Sequence, residues 1–267
     1  MLKKYKPSSP AQRHLILINN QQLTNQPKFK HLVKGFKRCF GKNNQGKITI
    51  KHRGGGHKRT YRQISFLRTS IHKGKVLTIE YDPNRSANIA AIFNSKLCFE
   101  FYIIAPNGLK IGDFIKTSFA SEANIGNSLP LTNIAIGTNI HNIALNKNQP
   151  AKLTRSAGTT AQVIQKNTNK ILVRLPSGQN IPLPSNSLAT IGRVSNLEFS
   201  NIVSSKAGRS RWLNRRPKVR GVAKNPIDHP HGGGEGKTSG GRPSVSFKGK
   251  ITKGKPTVRK KGKTLLK

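Results

Sequence analysis

The segment best equipped for chemistry is Asn225-Pro226-Ile227-Asp228-His229-Pro230-His231-Gly232-Gly233-Gly234-Glu235-Gly236-Lys237-Thr238. Three activities can be drawn from it. A phosphate-binding loop needs Gly, four residues, then Gly-Lys-Ser/Thr. Gly236-Lys237-Thr238 supplies the second half, but His231 occupies the place of the first glycine. Pro226 and Pro230 also exclude a strand leading into such a loop. A metal site would use His229 and His231, yet no third ligand stands at a matching spacing. Acid–base catalysis would use Asp228 and His229. Neighbouring residues do not usually point at each other, and no nucleophile stands nearby. The simpler reading is a rigid turn that threads between nucleic-acid strands, with prolines fixing its path and glycines allowing close contact.

Three further motifs carry the chemistry of phosphate contact. His52-Arg53-Gly54-Gly55-Gly56-His57-Lys58-Arg59 puts glycines, which let backbone approach a phosphate, between cationic side chains. Arg155-Ser156-Ala157-Gly158-Thr159-Thr160 offers small residues and one arginine on a tight turn. Arg209-Ser210-Arg211-Trp212-Leu213-Asn214-Arg215-Arg216-Pro217-Lys218-Val219-Arg220 combines guanidinium groups with the sole tryptophan. Such groups stack on unpaired bases or pair with phosphates. For Trp212, stacking on a base and anchoring a small apolar cluster both remain open.

The elements that must position these motifs sit within a chain of 267 residues and formal charge +41. A free globular protein gains nothing from that self-repulsion, so the charge calls for a polyanion. Nucleic acid fits. A membrane does not, because no apolar run approaches the ~20 residues of a spanning helix. The charge concentrates at the ends: residues 1–60 hold 15 basic and no acidic residues, and residues 204–267 hold 19 basic and 2 acidic. Cys39 and Cys98 lie too far apart for a zinc knuckle and suggest no disulfide framework. The Lys- and Pro-bearing start is not a signal peptide.

Residues 1–60 read as a basic arm, extended until a partner orders it. Residues 61–120 read as a small β-barrel: strands at Val76–Tyr81, Ile89–Phe93 and Cys98–Ile104 are separated by Asp82-Pro83-Asn84 and similar turns. Residues 121–203 suggest a second barrel, with a strand pair around Gly137 and strands at Ala161–Ile164, Ile171–Leu175 and Ile181–Leu183. No window shows a convincing helical period. Residues 204–267 form a basic, glycine-rich extension whose tail beyond Ile251 cannot bury a core.

With those motifs in hand, the chain resembles the universal large-subunit ribosomal protein family called L two, in its bacterial or organellar form. The resemblance spans almost the whole chain. It is carried by Tyr5-Lys6-Pro7-Ser8-Ser9-Pro10, His52 to Arg59, Glu80-Tyr81-Asp82-Pro83-Asn84-Arg85-Ser86-Ala87-Asn88-Ile89-Ala90, Arg155 to Thr159, Lys206 to Trp212 and, most specifically, Asn225 to Gly236. It implies a mainly β fold: an oligonucleotide-binding-type barrel, then an SH3-like barrel, with long basic irregular N- and C-terminal extensions. It adds Arg85 to the RNA-facing residues. In the family the histidine matching His229 has been proposed to matter for peptide-bond formation; His229 is carried over here as a structural contact near RNA rather than an acid–base group. The sequence departs from the family where Pro243-Ser244-Val245-Ser246-Phe247 replaces a usual Pro-Trp-Gly, and where Lys224 replaces a hydrophobic residue.

The expected function is therefore that of a non-enzymatic constituent of the large ribosomal subunit. It would bind large-subunit ribosomal RNA, support subunit association and maintain the architecture around the peptidyl transferase centre. Neighbouring ribosomal proteins and the small subunit are expected partners. No membrane, homo-oligomer or cofactor is expected, beyond Mg2+ carried by the RNA. A match beginning at Tyr5 leaves no room for a cleaved presequence, and Lys (32) exceeds Arg (17). Both favour an organelle-encoded protein of the mitochondrial matrix, with plastid or bacterial cytoplasm as alternatives.

Overall fold

A computed structural model describes residues 2–24, 26–36, 40–68, 72–118, 122–236 and 241–254. Cys39 and Lys237 lie outside them. The chain divides into two compact units, the first Met1–Arg38 with His57–Arg209, the second Cys39–Gly56 with Ser210–Lys267.

The first unit is mainly β, as expected. In chain order its strands are β1 (Leu2–Lys4), β2 (Ile16–Ile18), β3 (Val33–Gly35), β4 (Thr60–Arg62), β5 (His72–Glu80), β6 (Ile89–Asn94), β7 (Phe99–Ile104), β8 (Phe114–Thr117), β9 (Ser128–Pro130), β10 (Asn139–His141), β11 (Ala161–Lys166), β12 (Lys170–Arg174), β13 (Asn180–Pro184) and β14 (Leu188–Ile191). Ten of these form one sheet in the order β13-β12-β11-β10-β14-β9-β8-β5-β6-β7. Neighbours pair antiparallel except β8 and β9, which meet in parallel at Thr117 and Ser128. That single contact divides the sheet into two halves with separate cores. Val76, Ala90, Ile92, Phe101, Ile103 and Ile115 pack in one. Leu129, Ile134, Ile140, Val163, Ile171, Val173 and Leu183 pack in the other.

A buried arginine staples the two halves. Arg68 donates from Nε and Nη2 to Thr117 Oγ1 at 3.2 and 2.9 Å, and from Nη1 to Gly126 O at 3.1 Å and Thr190 Oγ1 at 3.4 Å. All its acceptors are neutral, and burial pulls its pKa down to about 10.

Beside it, His141 is wholly buried and its Nδ1–H donates to Gly192 O at 3.0 Å, while Nε2 has no partner. Burial is the largest influence on its pKa; the Gly192 bond opposes it, and the Arg68 charge adds to it, leaving a value of about 4. The ordinary value is 6.5, so between the two the unfolded chain binds a proton that the folded protein refuses. Stability is then retained above the unfolded value and lost as pH falls through the window towards 4. Urea unfolding at about pH 5 is expected to show a loss of about 2 kcal/mol relative to about pH 7.5 from this residue, and His141→Gln removes that part of the pH dependence.

The N-terminal segment is more ordered than an extended arm. β6 reads Ile89-Ala90-Ala91-Ile92, apolar at every position, so both its faces need cover. Ala90 and Ile92 face one core, while Ile89 and Ala91 face Phe29 and Tyr102. Phe29 is 3% exposed and its ring lies 5.3 Å from that of Tyr102. The Phe29 N–H donates to Tyr102 Oη at 3.0 Å, and the Lys28 N–H to buried Glu80 Oε1 at 2.9 Å. Tyr102 in turn donates to Glu80 Oε1 at 3.3 Å. Burial, more than the Glu80 charge, raises the Tyr102 pKa to about 12. β1 pairs with β2, and Ile16 bridges Val203. The short run Leu15–Ile18, the one apolar stretch of the first 60 residues, is what makes this docking possible.

The strand pair expected around Gly137 does not form. Leu131–Asn133 is a 3-10 turn, β10 starts at Asn139, and the Gly137 N–H donates instead to Val163 O at 2.8 Å. Among the described residues the only α-helix, α1, runs Ala207–Trp212, and none is long and apolar enough to cross a membrane.

Candidate nucleic-acid interface

In the second unit, two motifs about 160 residues apart in sequence pair with each other. Arg53 and Arg215 form an antiparallel bridge, and the Arg216 N–H donates to His52 O at 3.1 Å. His52 Nδ1–H donates to Pro217 O at 2.8 Å. The glycines permit this approach. A Cβ on Gly56 would lie 2.8 Å from both Asn214 N and Trp212 O, and its φ is +84°. A Cβ on Gly54 would lie 3.4 Å from Arg216 Cδ, and one on Gly55 would lie 3.6 Å from Arg211 Nη2. The turn that delivers Arg215 and Arg216 follows α1, with Asn214 at φ +70° and its N–H on Arg211 O.

Like charges placed across a bridge repel, and among the described residues neither Arg53 nor Arg215 has an ion-pair partner. Arg211, Arg215, Arg216, Lys218 and Arg220 are all exposed. Trp212 is 54% exposed, so its indole is not a buried anchor. The arrangement is an exposed cationic ridge.

The Asn225–Gly234 segment folds as a tight loop. The N–H groups of Asp228 and His229 donate to Asn225 O at 3.0 and 3.2 Å, and that of Gly233 to Lys224 O at 3.1 Å. The His231 N–H donates to His229 Nδ1 at 3.0 Å, and the Val245 N–H to His231 Nε2 at 3.2 Å. Each ring thus accepts a backbone N–H through one nitrogen, His229 through Nδ1 and His231 through Nε2. Partial burial, then the His231 and Lys224 charges, hold the His229 pKa below its ordinary value. The two rings meet edge to face at 5.0 Å, and Gly221 packs against His229, where a Cβ would come within 2.5 Å of the ring. Asp228 and His229 form no hydrogen bond or ion pair with each other's side chains among the described residues. Among those residues, too, no three His, Cys, Asp or Glu side chains gather as metal ligands. Phe247, in the region that departs from the family pattern, carries Lys51 Nζ over its ring at 4.7 Å.

In the first unit, Arg85 and Arg155 come together over one ring, with guanidinium carbons 5.6 and 4.6 Å from the Phe66 centroid. Asp82 builds this corner. It accepts the Asn84 N–H at 2.9 Å and pairs with Arg85 Nε at 2.6 Å. The Ala157 N–H donates to Ser86 Oγ at 3.0 Å, docking the Arg155–Gly158 turn onto the Arg85–Asn88 turn. Gly158, at φ +67°, lies against Leu197.

Several expected residues stand outside these groupings. His57, Lys58, Arg59 and Arg209 belong to the first unit, whereas the paired glycines belong to the second. Gly232 and Gly233 close the histidine loop, while Gly234 is exposed beyond it. Lys237 is outside the described residues. Residue patterns did not single out Tyr61 and Phe66.

Comparison with known proteins decides the family. Residues 29–117 match the model of the ribosomal proteins L2 RNA-binding N-terminal domain, and residues 124–249 match that of the C-terminal domain. The chain belongs to the ribosomal protein L2 family. It is 53% identical to the large ribosomal subunit protein uL2m of Reclinomonas americana over 92% of its length and 89% of that protein. It is 46% identical to the large ribosomal subunit protein uL2 of Parvibaculum lavamentivorans over 92% of its length and 88% of that protein. This L2 chain is thus a ribosomal, RNA-binding protein with a structural rather than an enzymatic role. The first matched domain begins at Phe29, the residue that closes the outer face of β6. The second runs past the β-sheet to residue 249, taking in both the 211–220 side of the cationic ridge and the histidine loop.

Proposed function

We propose that the protein is a structural constituent of the large ribosomal subunit that grips ribosomal RNA mainly through the Arg53–Arg215 ridge and the histidine loop. The bridge that sets Arg53 opposite Arg215 carries this reading: it is a local cost that phosphate contact would turn into a gain. Glycines 54 to 56 and 232 to 234 let backbone come close to the RNA, and His57, Lys58, Arg59, Arg209, Lys218, Arg220 and Lys237 extend the positive field along it. In that setting the rigid units fix the relative positions of RNA helices, support subunit association and shape the surroundings of the peptidyl transferase centre. Neighbouring ribosomal proteins and the small subunit are its protein partners, and the protein acts as a single copy. Any Mg2+ is held by RNA phosphates. The ribosome is organellar, most consistently mitochondrial, given the higher identity to the uL2m relative and the lysine-rich composition.

Binding of the full-length protein to large-subunit ribosomal RNA should fall steeply with salt, losing about 10³-fold or more between about 50 and 200 mM. Replacing Arg211 and Arg216 by alanine should lower the salt slope by about 2. An unchanged slope, or equal affinity for unrelated structured RNA, would contradict the assignment. Co-sedimentation of the native protein with mitochondrial large subunits tests the compartment.

A further inference from the structure

The turn Pro106-Asn107-Gly108 has no part in RNA contact, and it holds the sole Asn-Gly pair of the chain. Asparagine is a chemically labile residue, and a following glycine leaves its side-chain amide open to attack because no Cβ screens the next backbone nitrogen. Both residues are exposed. Gly108 has φ +87°, and among the described residues its N–H has no acceptor and the Asn107 side chain has no hydrogen bond. Nothing therefore holds either reacting group away from the other.

The Asn-Ser pairs are held differently. Asn127 is 2% exposed; its Oδ1 accepts the Lys116 N–H at 2.8 Å and its Nδ2 donates to Glu122 O at 2.9 Å. Asn94 is 4% exposed, and its Oδ1 accepts the Lys96 and Leu97 N–H groups at 3.0 and 3.3 Å.

The turn also lies on a seam. Pro106 bridges Val194, the Asn107 N–H donates to Arg193 O at 2.6 Å, and the Ser195 N–H donates to Ala105 O at 3.1 Å. These bonds tie the end of β7, in one half of the sheet, to the chain leaving β14, in the other. Pro106 sits against Gly126 and Gly192, where a Cβ on either would lie 3.6 Å from its ring. On the other side of the turn, Leu109 is 8% exposed and packs with Ala105, Ile103 and Ile115. The chain is thus pinned on both sides of the labile pair.

We propose that Asn107 is a site of spontaneous deamidation and isoaspartate formation that loosens this seam. The Gly108 nitrogen attacks Asn107 Cγ. The new N–Cγ bond forms as Cγ–Nδ2 breaks, and ammonia leaves with the proton that the Gly108 nitrogen gives up. Water then opens the cyclic imide. Opening at Cγ gives aspartate, and opening at the former main-chain carbonyl gives isoaspartate, whose chain runs through Cβ and Cγ. Isoaspartate lengthens the backbone between Pro106 and Leu109, so the seam bonds and the buried Leu109 can no longer both be kept. Aspartate adds a charge but leaves the chain length unchanged.

The test ages the full-length protein in neutral and mildly alkaline buffer. Products are read by peptide mass spectrometry, and isoaspartate by methyl transfer from labelled S-adenosylmethionine with an isoaspartate methyltransferase. Deamidation at residue 107 is expected, faster in alkali, with Asn94 and Asn127 intact. Asn107→Gln should abolish the label. The urea midpoint of the protein should fall on ageing in step with the label, while aged Asn107→Gln and fresh Asn107→Asp keep theirs. An intact Asn107 after ageing, or deamidation at Asn127 or Asn94 ahead of it, would overturn the site. Isoaspartate at residue 107 with an unmoved midpoint would overturn its effect on the seam.

Discussion

Gly232→Ala is expected to unravel the histidine loop and to weaken RNA binding by about tenfold. A Cβ at this position would fall 2.4 Å from both Lys224 O and Asn225 O. These are backbone atoms, so no side chain can swing away to relieve the clash. Overpacking of this kind costs about 1–3 kcal/mol. Moving either carbonyl also breaks bonds that define the loop, those from Gly233 N–H to Lys224 O and from His229 N–H to Asn225 O. The His229 ring then loses the seat that lets it accept the His231 N–H. Gly236→Ala makes the control. Gly236 has φ +62°, but a Cβ there would meet nothing within 4 Å, so the change should cost only about 1 kcal/mol of backbone preference. Hydrogen exchange at the amides of Asp228, His229 and Gly233 reads the loop, and titration with ribosomal RNA reads the function. Equal behaviour of the two variants would contradict the role assigned to the loop.

Phe29→Ala should cost about 3–5 kcal/mol of stability. Phe29 is buried on the outer face of β6, where it touches Tyr102 and covers Ile89 and Ala91. Its removal opens a cavity over a strand that has no polar face to offer water. It also frees the segment whose backbone bonds to Tyr102 and Glu80, exposing buried polar groups. Urea unfolding would show the midpoint shift. An exposed arm that orders only on RNA would give almost no change, so the measurement separates a docked N-terminal segment from a loose one.

These two sites also show what can be read along a chain. β5, β6, β7, β11, β12 and β13 announce themselves as β-branched and aromatic runs, and β5, β7 and β12 are closed by Asp-Pro-Asn, Pro-Asn-Gly and Pro-Ser-Gly turns. β9, β10 and β14 are three or four residues long, too short for alternation to register, and Gly137 suggested a hairpin where the chain instead bonds to Val163. Phe29 gave no signal because its partner is a face of β6 and not a neighbour in sequence. The basic glycine motifs were legible one by one. That 52–56 would pair with 211–217 was not, since no local pattern encodes a contact across so long a stretch of chain. The adjacency of Asp228 and His229 in sequence argues against a catalytic pair, and the loop turns both histidines towards backbone N–H groups. Arg85 and Arg155 were each expected at RNA, but the Phe66 ring that unites them belongs to neither motif.

The most direct test is ultraviolet crosslinking of intact large ribosomal subunits, with the protein–RNA adducts mapped to peptides. Adducts to large-subunit ribosomal RNA concentrated on residues 52–56 and 211–234 are the predicted result. Adducts confined to the β-sheet of the first unit, with none on those two segments, would contradict the account.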